Sequence, residues 1–213
     1  MVKMIIYKDE VFGFFEIFNE ENGTLFRSDI NGVDPVMRSF PELLDVGIMG
    51  HCNGGQYCRN AGIDCYQKGF TTYAPHMSYE NFMEIVKQAA GKTFQIALGG
   101  AGDPNKHPQI EDILKSCRAL LRWGDTVPAV SIDACEAATF SMYIDSQMNC
   151  YPCSFGIWDK SISESMNSKT LREIWQGDKF VAFREQRKEK CSSCRQTELC
   201  RGGCRLGIDI DMC

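Results

Sequence analysis

The sequence lacks the features that would place a protein in or across a membrane. Residues 1–6 are only briefly apolar before Lys8 and Asp9 interrupt them, which does not resemble a secretory signal. No apolar run reaches about 18 residues, the length that a membrane-spanning helix needs. We therefore expect a cytoplasmic protein with no membrane partner, and in that compartment thiols remain reduced.

An excess of positive charge is also absent. Lysine and arginine total 23 against 28 aspartates and glutamates, so the formal net charge is −5. This balance argues against a nucleic-acid partner. The sequence has no low-complexity tract and no clean internal repeat. Its 213 residues suffice for one or two domains whose hydrophobic core needs no disulfide.

Cysteine, in contrast, is abundant, with twelve residues. Reduced cysteines in such numbers are more often metal ligands than disulfides, and soft thiolates select zinc or iron–sulfur clusters. The densest set is Cys191-x2-Cys194-x5-Cys200-x3-Cys204, followed by Cys213. Zinc remains the alternative to an iron–sulfur cluster. The two Cys-x2-Cys units, Cys150-x2-Cys153 and Cys191-x2-Cys194, are separated by 37 residues. Common zinc ribbons separate them by ~15–20 residues.

Histidine is scarce. His51, His76 and His107 are isolated in the sequence, which favours ordinary loop residues over catalytic ones. His51 adjoins Cys52, where a histidine could tune a metal centre through a hydrogen bond.

The first forty residues indicate a small antiparallel sheet. Strand-like runs cover Met4–Tyr7, Val11–Phe18 and Thr24–Ile30. Asn22-Gly23 between the last two runs is a strong hairpin signal. A purely structural sheet is one interpretation, and a sheet edge that docks a peptide is the other.

The next segment follows the order strand, helix, strand, helix. The strand Leu43–Met49 precedes a helix that Ser78 caps and Gly91 ends. The strand Thr93–Leu98 precedes a helix that begins at Pro108. This alternation predicts an α/β fold with parallel strands, in which ligands bind beyond the carboxyl ends of the strands.

Each of these strands ends in a candidate ligand loop. Cys52, Cys58 and Cys65 follow the first strand and predict a metal site. The second strand leads into Gly99-Gly100-Ala101-Gly102-Asp103-Pro104, and glycines allow the backbone to approach a ligand closely. The two loops therefore predict one shared site.

The cysteine-rich C-terminal part resembles the SPASM domain, the auxiliary-cluster domain of many radical S-adenosylmethionine (SAM) enzymes. Residues 135–155 resemble its first half, and Cys191–Cys213 resemble its second half. Leu171–Trp175 and the residues after it look like the helix that links the halves.

The SPASM resemblance implies two auxiliary [4Fe–4S] clusters. The first would be held by Cys135, Cys153 and Cys204. A further ligand that some members have falls at Ser141 here, and Cys150 could take its place. The second cluster would be held by Cys191, Cys194, Cys200 and Cys213.

The N-terminal half resembles the radical SAM core. That family usually has Cys-x3-Cys-x2-Cys after its first barrel strand, whereas this chain has Cys52-x5-Cys58-x6-Cys65. Enlarged loops similar to this one occur among radical SAM peptide maturases. The resemblance implies that the three thiols hold a [4Fe–4S] cluster with one iron free to bind SAM. It also implies that Gly99-Gly100 and Asp103 belong to the motif that contacts SAM.

In that family a reduced cluster splits SAM, and the resulting 5′-deoxyadenosyl radical removes a hydrogen atom from the substrate. The resemblance therefore implies an oxidoreductase that acts on a peptide or protein, in the manner of ribosomal peptide maturation. A reductant such as flavodoxin or ferredoxin is the implied partner.

The expected architecture is an incomplete radical SAM partial barrel between two smaller parts. A β hairpin region covers residues 1–40, the shortened core residues 41–124, and an α+β SPASM domain residues 125–213. The core has room for two strand–helix units of about 30 residues each, against six in the family, so roughly 100 residues are missing before Cys135. The alternative hypothesis is a non-catalytic iron–sulfur or zinc module that transfers electrons or binds a peptide.

Overall fold

An antiparallel sheet of three strands forms the N-terminal part of the molecule. The computed structural model describes residues 4–19, 21–53, 55–63, 65–71, 73–121, 135–186 and 204–206. The three strands are β1 (Met4–Asp9), β2 (Phe14–Asn19) and β3 (Leu25–Asp29), in the order β1-β2-β3. Gly23 has a φ of +72° in the turn between β2 and β3, so the hairpin prediction is confirmed.

A second sheet has five strands in the order β5-β4-β6-β7-β8. The central strands β5, β4 and β6 are parallel, and β7 and β8 continue the sheet in antiparallel fashion. The mixed α/β fold class is therefore confirmed. The bounds are β4 (Leu43–Met49), β5 (Gln95–Gly100), β6 (Ser141–Ile144), β7 (Asn149–Tyr151) and β8 (Glu164–Ser165).

Helices cover one face of this sheet. Ser78 caps α2 through a hydrogen bond from the backbone N–H of Asn81, and the left-handed Gly91 follows its end, as the sequence predicted. None of the helices among the described residues is long and apolar enough to span a bilayer. The bounds are α1 (Gly55–Asn60), α2 (Tyr79–Ala89), α3 (Ile110–Leu121), α4 (Leu171–Gln176) and α5 (Asp178–Glu185).

Gly177 divides the linking helix expected from Leu171 onward into α4 and α5. Its backbone is extended, with φ −75° and ψ 160°. A Cβ atom at this position would lie 2.8 Å from the carbonyl oxygen of Glu173, so glycine permits the close turn. The break lets both helices pack on the core through Trp175 and Phe180, whose ring centroids are 6.0 Å apart.

The two faces of β4 differ in chemistry. Leu44, Val46 and Ile48 are completely buried on one face, where they belong to the core that α2 and α3 cover. Asp45 and Gly47 alternate with them on the opposite face. The apolar face therefore forms the core, and the opposite face of β4 lies against the Tyr143 side chain of β6.

Buried charges attach the N-terminal sheet to the second sheet. The Arg38 guanidinium lies 2.9 Å from the Glu16 carboxylate, with both side chains fully buried, and over the Tyr7 ring at 3.8 Å. The carboxylate of Asp9 accepts a hydrogen bond from the backbone N–H of Ser39. These buried contacts connect the N-terminal sheet to the segment that precedes β4.

Candidate metal and cofactor site

The strands β4, β5 and β6 end at one edge of the five-stranded sheet, here called the carboxyl edge. At this edge the loop after β4 packs directly on the loop after β5. The backbone N–H of Ala101 donates to the carbonyl oxygen of Met49 at 2.8 Å. A Cβ atom on Gly69 would lie 1.8 Å from the carbonyl oxygen of Ala101, and one on Gly102 would lie 2.7 Å from that of His51. Glycine at both positions therefore allows the two loops to touch.

The loop of residues 52–69, here called the cysteine loop, is closed at its base. The backbone N–H of Cys52 donates to the carbonyl oxygen of Gly69 at 2.6 Å. Within the loop, the carbonyl oxygens of Cys58 and Cys65 accept backbone hydrogen bonds from Ile63 and Lys68. All three cysteines are free and half-buried. The structure thus places the three predicted thiols in one compact loop at the carboxyl edge.

The thiols are not gathered as they would be around a single ion. Among the residues described, no three His, Cys, Asp or Glu side chains lie close enough together to hold one metal ion. A cluster of several irons spaces its thiolates more widely than one tetrahedral zinc does. Three half-buried cysteines in a closed loop fit the donor chemistry of an iron–sulfur cluster.

The glycine-rich segment has one residue in a conformation that favours glycine. Gly100 has a φ of +109°, and a Cβ atom there would lie 2.4 Å from the carbonyl oxygen of Met49. Gly99 is open, since its nearest neighbour would be Asp45 at 3.8 Å. Asp103 is exposed and caps a short 3₁₀ turn by accepting from the backbone N–H of Asn105. These three positions stay predictions as cofactor contacts.

A second group of thiols lies in the C-terminal part. Burial raises the pKa of the Cys153 thiol, and the nearby thiols of Cys135 and Cys204 raise it further. The backbone N–H groups of Phe155 and Gly156 act in the opposite direction because they hydrogen-bond the sulfur. The structure thus brings together three cysteines that are remote in the sequence, and amide donors near sulfur are typical of cluster ligands.

Cys150 and Ser141 are the other candidate positions of the C-terminal part that the structure describes. Cys150 is completely buried in the core on β7, and burial followed by Asp145 and Glu164 raises the pKa of its thiol. Complete burial in the core is typical of a cysteine that acts as a small hydrophobic side chain, and the ligand role of Cys150 stays a prediction. Ser141 is half-buried at the start of β6. The predictions for Cys191, Cys194, Cys200 and Cys213 lie outside the described residues.

The three histidines, which the sequence presents as isolated, stack into one column beside the cysteine loop. Ring centroids are 4.3 Å apart from Tyr73 to His51, 4.2 Å from His51 to His76, and 5.7 Å from His76 to His107. Burial and the two neighbouring histidines lower the pKa of His76. Its Nδ1 accepts the backbone N–H of Gly50. In the sequence, the indication that these histidines lie together is that His51 and His107 each follow a strand of the predicted parallel sheet.

The segment of residues 155–160 packs against the end of the cysteine loop. The indole N–H of Trp158 donates to the carbonyl oxygen of Tyr66 at 3.2 Å. The rings of Tyr66 and Phe155 lie 5.2 Å apart, and the Lys68 ammonium lies 4.7 Å above the Trp158 ring. The C-terminal part therefore contacts the loop that carries the predicted cluster ligands.

Residues 135–201 match the SPASM family, an iron–sulfur cluster-binding domain. Over 105 residues, the chain is 28% identical to the cysteine-type anaerobic sulfatase-maturating enzyme of Clostridium perfringens strain ATCC 13124. The corresponding enzyme of strain 13 matches to the same extent. Each alignment covers 45% of this chain and 28% of the relative, so the chain matches little more than a quarter of those enzymes.

Solved structures of BtrN share the fold. BtrN in an open conformation superposes with a TM-score of 0.50 at 14% identity, over 73% of this chain and 92% of BtrN. BtrN in complex with AdoMet and 2-DOIA gives a TM-score of 0.52 at 13% identity, over 76% and 92%.

The fold and the matches define an α/β protein that carries an iron–sulfur cluster-binding domain. Within that class, the SPASM prediction is confirmed over residues 135–201, and the match to the sulfatase-maturating enzymes supports the predicted resemblance to radical SAM proteins.

Proposed function

We propose that this chain is an enzyme that modifies a peptide or protein by radical SAM chemistry. The observation that carries the proposal is the closed cysteine loop at the carboxyl edge, in contact with both the glycine-rich segment and residues 155–160. The matched relatives are maturating enzymes of a protein, the sulfatase, which supports a peptide or protein substrate. The cofactors are [4Fe–4S] clusters and SAM, which the SPASM match and the BtrN complex with AdoMet support.

The proposed ligand roles follow the two thiol groups. Cys52, Cys58 and Cys65 would hold the cluster that binds SAM, with Gly99-Gly100 leaving room for the ligand. The bound cluster would supply the electron that cleaves a carbon–sulfur bond of SAM. Cys135, Cys153 and Cys204 would hold an auxiliary cluster, and Cys191, Cys194, Cys200 and Cys213 the other.

Exposed aromatic side chains around the cysteine loop support a peptide substrate. Tyr66, Tyr73, Phe155 and Trp158 each keep about half or more of their surface exposed. Rings of this kind provide much of the binding energy at protein–peptide surfaces. We therefore expect the substrate to lie across these rings. The proposed electron donor is a reductant such as flavodoxin or ferredoxin.

Anaerobic reconstitution with iron and sulfide tests the proposal. We expect the wild-type chain to bind several irons and to release 5′-deoxyadenosine from SAM in the presence of dithionite. Cys52→Ala should lose about four irons, the content of one [4Fe–4S] cluster, and all 5′-deoxyadenosine. Cys117→Ala is the matched control, because Cys117 is a buried thiol of α3 outside both groups. Equal iron content in the two variants would contradict the assignment.

A non-catalytic iron–sulfur module is the second candidate function. It is favoured by the short parallel part of the sheet, which has three strands among the described residues. Such a module would transfer electrons or bind a peptide. Absorption near 400 nm, about where thiolate-ligated clusters absorb, separates iron from colourless zinc. Bound clusters with no cleavage of SAM would select this candidate.

A further inference from the structure

A cavity of about 110 Å³ lies at the carboxyl edge, between the cysteine loop and the C-terminal part. Gln67 of the cysteine loop and Ala101 of the glycine-rich segment line one side. Tyr143, which lies on β6, lines the other side with Trp158 and Lys160. The cavity therefore draws its walls from every segment that meets at the proposed site.

Three side chains that line the cavity offer hydrogen-bond donors to a ligand, namely those of Gln67, Tyr143 and Lys160. Gln67 is only 6% exposed, and its Nε2 makes no hydrogen bond of standard geometry to the described residues, with the Tyr143 hydroxyl as its polar neighbour. The Lys160 ammonium contacts the hydroxyl of Tyr151 and has further N–H groups to donate. Burial raises the pKa of the Tyr143 hydroxyl, which therefore keeps its proton at neutral pH. A buried donor without a partner is costly unless a ligand supplies the acceptor.

The one carboxylate in the wall is already satisfied. Oδ1 of Asp145 accepts the backbone N–H groups of Gln147 and Asn149, each at 2.9 Å. Its Oδ2 accepts the Asn149 side-chain amide at 2.9 Å and the Tyr151 hydroxyl at 3.3 Å. The acceptor oxygens of Asp145 are therefore used within its own turn, and Lys160 and Gln67 provide the donors that face a ligand.

The size and apolar walls limit the ligand to a small group. A cavity of about 150 Å³ is enough for benzene, so this one has room for a small group such as a carboxylate on a short methylene stem. Met49 and Ile157 supply apolar wall for such a stem. Acceptor oxygens at the end of the stem would meet Lys160 and Gln67.

We propose that this cavity binds the side-chain carboxylate of an acidic residue in the substrate peptide, with Lys160 and Gln67 as its donors. The inference rests on the proposed function, because it names a feature of the peptide that the site accepts. Lys160 and Gln67 determine specificity here and take no part in the chemical step.

Ligand-observed NMR titration of the purified full chain tests the proposal without any turnover. The probes are the capped tripeptides acetyl-Ala-Glu-Ala-amide and acetyl-Ala-Gln-Ala-amide. We expect the glutamate peptide to bind about tenfold more tightly, since charge-assisted hydrogen bonds are roughly twice as strong as neutral ones. Lys160→Met and Gln67→Leu should each abolish this preference, and Lys160→Arg should retain it.

Lys169→Met is the matched control, because Lys169 is an exposed lysine paired with Glu164 outside the cavity. Equal binding of the two peptides to the wild-type chain, or an unchanged preference in Lys160→Met, would overturn the proposal. A fall in the affinity of the reconstituted protein for AdoMet in Lys160→Met would also overturn it, by assigning the cavity to the cofactor. Loss of SAM cleavage alone bears on the proposed function and leaves this test intact.

Discussion

The two faces of β4 show how one strand serves both stability and chemistry. Leu44, Val46 and Ile48 are fully buried beneath the helices, whereas Asp45 and Gly47 lie on the face that carries the Tyr143 side chain. On the apolar face, burial of hydrophobic surface stabilises the fold. On the other face, Gly47 is tightly packed and the carboxyl group of Asp45 is partly removed from water. We expect substitutions on the two faces to differ in size and in pH dependence.

The largest effect is expected on the apolar face. Leu44→Ala should lower the free energy of unfolding by about 2–5 kcal/mol, because it removes buried methyl groups and leaves a cavity. Urea unfolding followed by circular dichroism measures the change. Leu114→Ala, at a half-exposed position on α3, should stay within about 0.5 kcal/mol of the wild type. Equal losses at the two positions would contradict the division between the faces.

An intermediate effect is expected where the polar face is tightly packed. A Cβ atom on Gly47 would lie 2.2 Å from the Tyr143 hydroxyl oxygen, so Gly47→Ala must displace that ring. We expect a loss of about 1–3 kcal/mol in the free energy of unfolding. Tyr143→Phe should restore part of it in the double variant. Gly99→Ala is the control, because its nearest contact would be 3.8 Å away, and a similar loss there would rule out the steric explanation.

The smallest effect is expected at Asp45 and should depend on pH. Burial raises the pKa of the Asp45 carboxyl above its ordinary value of 3.8. The folded chain therefore binds this proton more tightly, so its contribution to stability is complete below the ordinary pKa and is lost as the pH rises through the raised one.

Asp45→Asn removes this dependence. Its free energy of unfolding relative to the wild type should increase between about pH 3 and pH 7. Urea unfolding at several pH values measures the difference, and the exposed Asp112→Asn controls for the loss of a carboxylate. Parallel pH profiles for wild type and Asp45→Asn would show that Asp45 is not desolvated by folding.

The sequence predicted the elements whose signals are local. The apolar run Leu43–Met49 coincides with β4, and the cap at Ser78 with its helical spacing located α2. The hairpin at Asn22-Gly23 followed from turn chemistry that is encoded in two residues. These predictions succeeded because hydrophobic period and capping depend on neighbours in the chain.

The sequence could not predict features that depend on long-range contacts. The parallel pairing of β6 with β4 is one such feature, because it joins Leu43 to Ser141, which are remote in the sequence. The histidine column forms because three loops converge at the carboxyl edge, and nothing local to His51 or His76 encodes that stacking. The domain boundary near residue 124 stays a prediction, since residues 122–134 lie outside the described part of the chain.

Because β6 pairs in parallel with β4, the C-terminal part cannot be separated from the rest of the chain without breaking a sheet. Residues of the SPASM match supply the strand that hydrogen-bonds Leu43–Val46, so the strand before the cysteine loop pairs with backbone of the C-terminal part. In a fragment that ended at residue 121, β4 would be an unpaired edge strand. Such a strand can pair with a second molecule, which favours aggregation. If this C-terminal part were fused to another protein, β6 would likewise need a new strand to pair with in place of β4.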